Sequence, residues 1–481
     1  MVRSPLLAVH TALLLGLVMA QRGASVERRS VGSPSRAAER AVTHIPLLKG
    51  ASCEPSWRET FGASMGPNDA VLALTAFDDS SGSGPALYVG GLFTAVGRVP
   101  AAHVARWDGT SWSPLGTGMD GAVNTLTVFD DGSGAGPQLY AGGSFTVAGG
   151  NVVHNVARWN GTSWSALGEG TNGTVRVLAT YSDGEGRSPG LYAGGEFTLV
   201  DGSMASGIAR WNGFYWSPLA GGVNGSVLAL ATFGAGSPGG ALLYAGGVFT
   251  TAGTSAASHV ARWNGTYWTA LDAGLNNSVS SLVTWDDGSG NGPALYATGG
   301  FSASGQSPLN AIASWNGTGW SPLGSGINGF GVSLGLFNDG AGTAFGDAPA
   351  LFVGGFFTSA GGVSANRIAR WDGAAWSPLG AGTDSLVLTM IAVGDEFAGG
   401  AALFAGGAFL RSPAGDRFLG RWSGCATVCQ ADLDHDGIIG GGDLAILLGA
   451  WGTSDPVLDL AGNGVVAGGD LAVVLGAWGD C

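Results

Sequence analysis

Short apolar runs recur along this chain at a nearly fixed spacing, separated by Gly-rich polar segments. The first run of each period is VLALTAF at 71–77. Its echoes are VNTLTVF (123–129), VRVLATY (175–181), VLALATF (227–233), VSSLVTW (279–285), VSLGLF (332–337) and VLTMIAV (387–393). A second run carries an aromatic and a Gly-Gly pair, as in LYAGGSF (139–145); a third reads VARW and a fourth SWSPLG, with variants. Apolar runs this short, rich in Val and aromatics and bounded by Gly, Asn and Asp, predict strands rather than helices. Asn-Gly or Asp-Gly stands between the third and fourth runs, which predicts a tight hairpin with both turn residues at positive φ.

The tryptophans of the third run, Trp107, Trp159, Trp211, Trp263, Trp315, Trp371 and Trp422, are 52, 52, 52, 52, 56 and 51 residues apart. A period near fifty marks a repeat architecture. Four short antiparallel strands cannot bury their own two faces, but units stacked radially cover one another, as in a β-propeller. The first three runs each occur seven times. The fourth occurs six times, at Trp112, Trp164, Trp216, Trp268, Trp320 and Trp376, and is missing after Trp422. Its counterpart lies before the first period, in Trp57-Arg58-Glu59-Thr60-Phe61-Gly62. The expected fold is therefore all-β: a seven-bladed propeller over 53–424, closed by an N-terminal outer strand in the last blade. Closure of this kind leaves no unpaired edge at the seam.

The four cysteines bear on that seam. Cys53 and Cys425 stand where an ordinary repeat has the two sides of a hairpin turn, so a Cys53–Cys425 bridge would replace the missing connection. In the chain-entropy account, closing so long a loop contributes about 4–5 kcal/mol. Cys429–Cys481 would then clasp the C-terminal module; four cysteines allow three pairings in all.

The Gly-Gly doublet after an aromatic (Tyr140-Ala141-Gly142-Gly143) and the following tryptophan pair (Trp159, Trp164) resemble the Kelch and galactose-oxidase-like propeller superfamily. The resemblance covers 53–424. It implies a fold and no single activity, because this architecture hosts many unrelated functions.

Composition narrows the function classes. The 481 residues include 89 Gly, 11% charged residues and one lysine, Lys49, with a net charge of −14. Such a surface argues against nucleic acid and against anionic membranes as partners. Arg3, the apolar run Leu6 to Met19 and the small-residue site at Val18-Met19-Ala20 predict a cleaved secretory signal over 1–20, with no membrane span after its removal. Residues 21–52 lack apolar periodicity and read as a flexible linker. An exported, extracellular or cell-surface location follows, one that permits disulfides.

After Cys429 the pattern changes. DLDHDGIIGGGD places Asp432, Asp434, Asp436, Gly437 and Asp443 at positions 1, 3, 5, 6 and 12 of a calcium loop, with the carbonyl of Ile438 at position 7. LAILLGAWG follows as a short helix. The pattern returns 27 residues later as DLAGNGVVAGGD, where Asp459, Asn463, the Val465 carbonyl and Asp470 keep ligand positions; Ala461 falls at position 3, so a weaker site is expected. Two loop–helix halves with Asp closing each loop resemble a type I dockerin over 430–481. The resemblance implies bound Ca²⁺ and docking onto a cohesin-type scaffold protein. The helix residues Ala445-Ile446 and Ala472-Val473 give no clear docking signature.

Within the repeats an Asn or Asp precedes nearly every first run: Asn68, Asp120, Asn172, Asn224, Asn276, Asn328 and Asp384. These form a candidate ring at one mouth of the central channel, against the plainer reading of Asx turns beside Gly. Arg106, Arg158, Arg210, Arg262, Arg370 and Arg421 precede the third-run tryptophan, with Ser314 as the exception, and read as interblade bonds or stacking on Trp. His103, His154 and His259 stand near the start of the third run, out of register with one another.

No catalytic set is evident. The expected function is a secreted, non-catalytic binding or display propeller for a glycan or exported protein, in a polysaccharide-related context. The alternative is a carbohydrate-active enzyme with its site in asymmetric loops such as 338–349, where the 56-residue period carries its insertion.

Overall fold

The computed structural model describes residues 55–424, apart from 80–83, 183–188, 235–239, 342, 345–347 and 395–400. Beyond Gly424 it describes 433, 438–455, 458–460, 464–476 and 479–480. The expected signal at 1–20, the linker at 21–52 and both expected bridges, Cys53–Cys425 and Cys429–Cys481, lie outside the described residues. No described helix is long and apolar enough to cross a membrane.

Pro55–Gly424 forms one compact unit of seven four-stranded antiparallel sheets. In the first blade Val71–Phe77, Ala86–Gly91, Val104–Trp107 and Trp112–Pro114 pair in that order from the inside outward. In the last blade the inner three strands are Val387–Val393, Ala402–Gly407 and Leu419–Ser423, and the fourth is Ser56–Arg58. There Trp57 pairs with Trp422 as Trp112 pairs with Trp107. Each inner strand packs against the next, and the seventh packs against the first. This unit is a seven-bladed β-propeller.

The core lies between the blades. Seven apolar clusters each draw on two consecutive blades, including one in which Phe404 and Leu419 of the last blade meet Leu87 and Trp107 of the first. The Gly-Gly doublet makes that packing possible. A side chain at Gly90 would place its Cβ 2.5 Å from Cγ1 of Val123, the buried residue that begins the next inner strand. The same approach recurs at Gly142–Val175 (2.6 Å), Gly194–Val227 (2.6 Å), Gly246–Val279 (2.5 Å), Gly354–Val387 (2.6 Å) and Gly406–Val71 (2.5 Å), the last joining blade seven to blade one. Between blades five and six the sizes are exchanged: Thr298 fills the space, and a Cβ at Gly331 would collide with its hydroxyl. The second glycine meets backbone instead; a Cβ at Gly143 would strike the Ala122 carbonyl, where the strand pairing shifts register.

At the rim of each blade the two tryptophans pair at ring-centroid distances of 5.0 to 5.6 Å. The outer one also ties neighbouring blades. Nε1 of Trp164, Trp216, Trp268 and Trp376 donates to the carbonyl of Leu115, Leu167, Leu219 and Leu323 in the preceding blade, at 2.9–3.2 Å. Trp57 does the same to Leu379 at 2.9 Å. Trp112 and Trp320 make no such bond.

Three local features differ from the sequence expectation. The hairpin between third and fourth strands is a four-residue loop, with Trp159 paired to Trp164, and only its glycine has positive φ (Gly161, +94°). Asn160 instead accepts the amides of Thr162 and Ser163 through Oδ1, so an Asx turn replaces the two-residue type I′ turn. Each of the first six blades also carries a two-stranded ribbon between its second and third strands, such as Ala95–Val96 with Val99–Pro100. In blade seven that place is taken by a turn whose Asp416 grips the N-terminal segment. Its buried carboxylate accepts the amides of Phe61 (2.8 Å), Gly62 (2.7 Å) and Thr60 (3.3 Å). Burial holds this carboxyl above its ordinary value, against the opposing pull of the three amides.

Replacing Asp416 by Ala strands those amides and is expected to lower the unfolding free energy by roughly 1–3 kcal/mol. Urea unfolding followed by tryptophan fluorescence measures it. An unchanged midpoint would show that the seam does not need this acid.

Candidate functional site

The second described unit is built on an internal repeat. Helices Gly441–Gly449 and Gly468–Gly476 each have Asp at their third position, Asp443 and Asp470. Both carboxylates are buried, at 1% and 0% relative exposure. Asp443 Oδ2 accepts the Gly440 amide and Asp470 Oδ2 accepts the Ala467 amide, each at 2.7 Å, and Asp443 also accepts the Leu433 amide. Such bonds place negative charge at a helix N-terminus, where the backbone dipoles favour it. Ile439 and Val466, and Leu447 and Val474, occupy equivalent positions in one small core. Asp459 Oδ2 accepts the Gly464 amide at 2.6 Å, and Val465 is exposed. Ile438 lies in a two-residue strand paired with Gly479–Asp480. The remaining loop positions, Asp432, Asp434, Asp436 and Asn463, lie outside the described residues. Among the described residues no group of three or more His, Cys, Asp or Glu is placed to hold a metal.

Charge adds a constraint. Residues 425–481 contain eight Asp and no Lys, Arg or Glu. Burying a carboxylate is costly unless its charge is compensated or hydrogen-bonded, and residues 425–481 supply no lysine or arginine for that purpose. The chemistry of the donor set, hard oxygens in two spaced loops, fits a calcium ion.

In the propeller, the seven residues of the candidate ring stand where the inner strands begin, and each fastens its own blade. Asn68 Oδ1 accepts the amides of Thr94 (2.9 Å) and Ala95 (3.2 Å), while its Nδ2 donates to the Thr94 hydroxyl (3.1 Å). Asn172, Asn224, Asn276 and Asn328 make the same three contacts in their own blades, all within 2.8–3.1 Å where both amides bind. Asp120 accepts from the Thr146 and Val147 amides and from the Thr146 hydroxyl (2.6 Å), and Asp384 accepts from the Leu410 and Arg411 amides. The bonds span 26 or more residues, from the entry of the inner strand to the exit of the second. Desolvation alone would raise the Asp120 carboxyl, but the Thr146 hydroxyl and the Val147 and Thr146 amides outweigh it and hold it below its ordinary value.

This fastened rim presents one non-uniform position per blade, directly after the second glycine: Leu92, Ser144, Glu196, Val248, Gly300, Phe356 and Ala408. Glu196 is paired with Arg176 (Nη2–Oε1 2.7 Å), and Phe356 is exposed beneath the Arg367 guanidinium, 4.7 Å from its ring centre. Phe330 lies over Gly300, where a Cβ would come within 2.8 Å of its ring. Sequence reasoning did not single out these side chains; their signal is departure from the repeat at one column.

Three of the six repeated arginines pair with an aspartate of their own blade. Arg158 Nη1 reaches Asp131 Oδ2 at 2.9 Å, Arg106 faces Asp79 at 3.5 Å, and Arg370 is held bidentately by buried Asp339 at 2.9 and 3.1 Å. The Asp lies two residues after the inner strand, so Asp339 ties the start of the 338–349 insertion to blade six. Tyr88 and Tyr140 complete the group, and burial, with Asp79 or Asp131 adding to it, pushes both phenols up. His103 and His259 prove to be equivalent after all: each has positive φ, and Nδ1 lies 3.2 or 3.3 Å from the carbonyl of its blade's second glycine. His154 stands one residue earlier in its blade and faces the Glu169 carbonyl at 2.9 Å.

No family model matches this chain, and no curated protein matches it. Among solved structures, BBS1N in complex with ARL6DN, soaked with lead, aligns at 12% identity with a TM-score of 0.44, covering 77% of this chain and 98% of that one. The WD40 β-propeller domain of Doa1 aligns at 12% identity and 0.44, covering 77% and 97%. Likeness at this level carries no argument about function.

Because the folded Asp120 carboxyl lies below its unfolded value, its clasp contributes fully above the ordinary carboxylate range and is lost as pH falls through the folded value. Asp120→Asn supplies the residue five other blades use. It is expected to leave the melting temperature at pH 7 nearly unchanged and to flatten the loss of stability between roughly pH 5 and pH 3. An acid profile identical to the parent protein's would contradict the clasp.

Proposed function

We propose that this chain is a secreted, non-catalytic binding or display propeller, held in place through a calcium-dependent, dockerin-like module at 430–481. Its ligand is a glycan or an exported protein in a polysaccharide-related setting. The supporting observation is the rim: beside seven equivalent Asx clasps, the column after the second glycine carries seven different residues, with Ser144 and Phe356 exposed. A scaffold that is uniform where buried and variable beside a hydrogen-bonded rim suits recognition, since part of the ordering cost of a binding surface is already met. The Kelch-like character of the repeats, and the closed ring with Ser56–Arg58 as its last outer strand, belong to this reading.

In the C-terminal module Ca²⁺ would be held by Asp432, Asp434, Asp436, the Ile438 carbonyl and Asp443 in one loop. Asp459, Asn463, the Val465 carbonyl and Asp470 would hold a second ion in the other. The ion would supply charge neutralisation and the side chains the cradle, with Asp443 and Asp470 already anchored by the amides of Gly440 and Ala467 just before each helix. Leu448 and Leu475, equivalent and exposed on the two helices, give a cohesin-type partner apolar surface to cover.

Calcium titration of the full chain by calorimetry should resolve two classes of site. The tighter should be lost in Asp436→Ala and the weaker in Asp470→Ala, because the first loop offers four carboxylates and the second two. A single class, or heat that survives Asp436→Ala unchanged, would contradict this assignment. For the propeller, incubation with polysaccharide should leave chain length and reducing-end content unchanged. Release of oligosaccharides would instead support the enzyme reading.

A further inference from the structure

The hairpin tips of blades three and four depart from all the others. Between third and outer strands, the first, second, fifth and sixth blades carry Asp108-Gly109-Thr110-Ser111, Asn160-Gly161-Thr162-Ser163, Asn316-Gly317-Thr318-Gly319 and Asp372-Gly373-Ala374-Ala375. Blade three has Asn212-Gly213-Phe214-Tyr215, and blade four has Asn264-Gly265-Thr266-Tyr267. The three aromatics are 80%, 61% and 57% exposed. Four blades make the same loop with small residues, so the rings are not needed to form the turn. Exposing them has a solubility cost without a structural return.

We infer that Phe214, Tyr215 and Tyr267 form an aromatic platform for a neutral glycan chain. This rests on the binding reading and assigns it a ligand class and a location separate from the clasped rim. The rings are mounted on fixed backbone. Asn212 Oδ1 accepts the Phe214 and Tyr215 amides at 3.0 and 2.9 Å, and Asn264 Oδ1 accepts those of Thr266 and Tyr267 at 3.0 and 2.9 Å. Tyr215 and Tyr267 hold the same repeat position, one blade apart. The tips thus offer flat amphipathic rings at a set interval, at little ordering cost.

Charge selects the class of occupant. Neither tip contains Asp, Glu, Lys or Arg, and the chain as a whole carries −14. Nothing in the tips attracts an anionic polymer or a charged peptide, and the overall field repels polyanions. A pyranose matches what remains: its C–H face lies on an aromatic ring, and its hydroxyls bond to the phenol and to Thr266. A polymer of neutral sugars repeats that face along its length and can use rings on successive blades. A folded protein partner would instead need a contiguous apolar core to its interface.

Affinity electrophoresis of the full chain in gels containing hydroxyethyl cellulose, galactomannan or arabinoxylan tests this, with polygalacturonate as the anionic comparison. At least one neutral polymer should retard the protein. The triple substitution Phe214→Thr, Tyr215→Ser, Tyr267→Ser, which installs the residues of other blades, should weaken retardation about tenfold or more. An unchanged melting temperature of that variant separates loss of the platform from loss of the fold. Retardation that survives the triple substitution overturns the platform and leaves the binding reading standing. Retardation by none of the neutral polymers, or by polygalacturonate alone, overturns the platform too, while the binding reading is judged by the reducing-end measurement.

Discussion

The ring depends on one complementary fit: a residue with no side chain faces a branched one wherever two blades meet at the inner strands. Glycine opposite valine lets inner strands approach within van der Waals contact without displacing either backbone. Seven joints of this kind share a constraint, because error at any joint accumulates around a closed ring. The joint between blades five and six satisfies the constraint with the partners exchanged, Thr298 against Gly331. What matters is therefore the combined volume at the joint, not the identity of either residue.

From that fit the other features follow in layers. Close inner strands bring the second and third strands of one blade onto the first and second of the next, which is why each apolar cluster spans two blades. Farther out the blades diverge, and indole hydrogen bonds to the preceding blade's leucine carbonyl bridge the widening gap. At the seam no covalent turn connects the last two strands. There Asp416 and the Trp57–Leu379 bond hold the incoming segment, and Phe61 packs on Trp107 at 5.1 Å and Trp112 at 5.3 Å. With the buried layers this uniform, the clasped rim and the hairpin tips are two places where the described blades differ from one another.

Much of this was legible in the sequence, for a physical reason. Strand runs, their number and the Trp57 segment's likeness to an outer strand are local patterns repeated seven times, so chance resemblance averages out. What was not legible depends on partners distant in sequence. Gly90 announces a close approach but not that Val123 makes it. Asp120 looks like a turn residue until Thr146 and Val147 are placed beside it. Arg158 reads as an interblade contact, yet Asp131 of its own blade is nearer. Asp416 carries no signal, since the amides it accepts lie more than 350 residues away in the chain. The hairpin tips misled differently: Asn-Gly favours a two-residue turn, but the tryptophan pairing register leaves four residues to close it. Phe214, Tyr215 and Tyr267 were visible as departures from Thr-Ser, and became meaningful once their exposure was known.

The most direct measurement is a double-mutant cycle at the exchanged joint, using Gly331→Val, Thr298→Gly and both together, with unfolding free energies from urea titration. If joint volume governs the ring, Gly331→Val alone destabilises by roughly 1–3 kcal/mol through overpacking. The double variant, which recreates the Gly–Val pair of the other six joints, then recovers most of that loss. Strictly additive effects, with the double variant no better than the sum of the singles, would contradict the account.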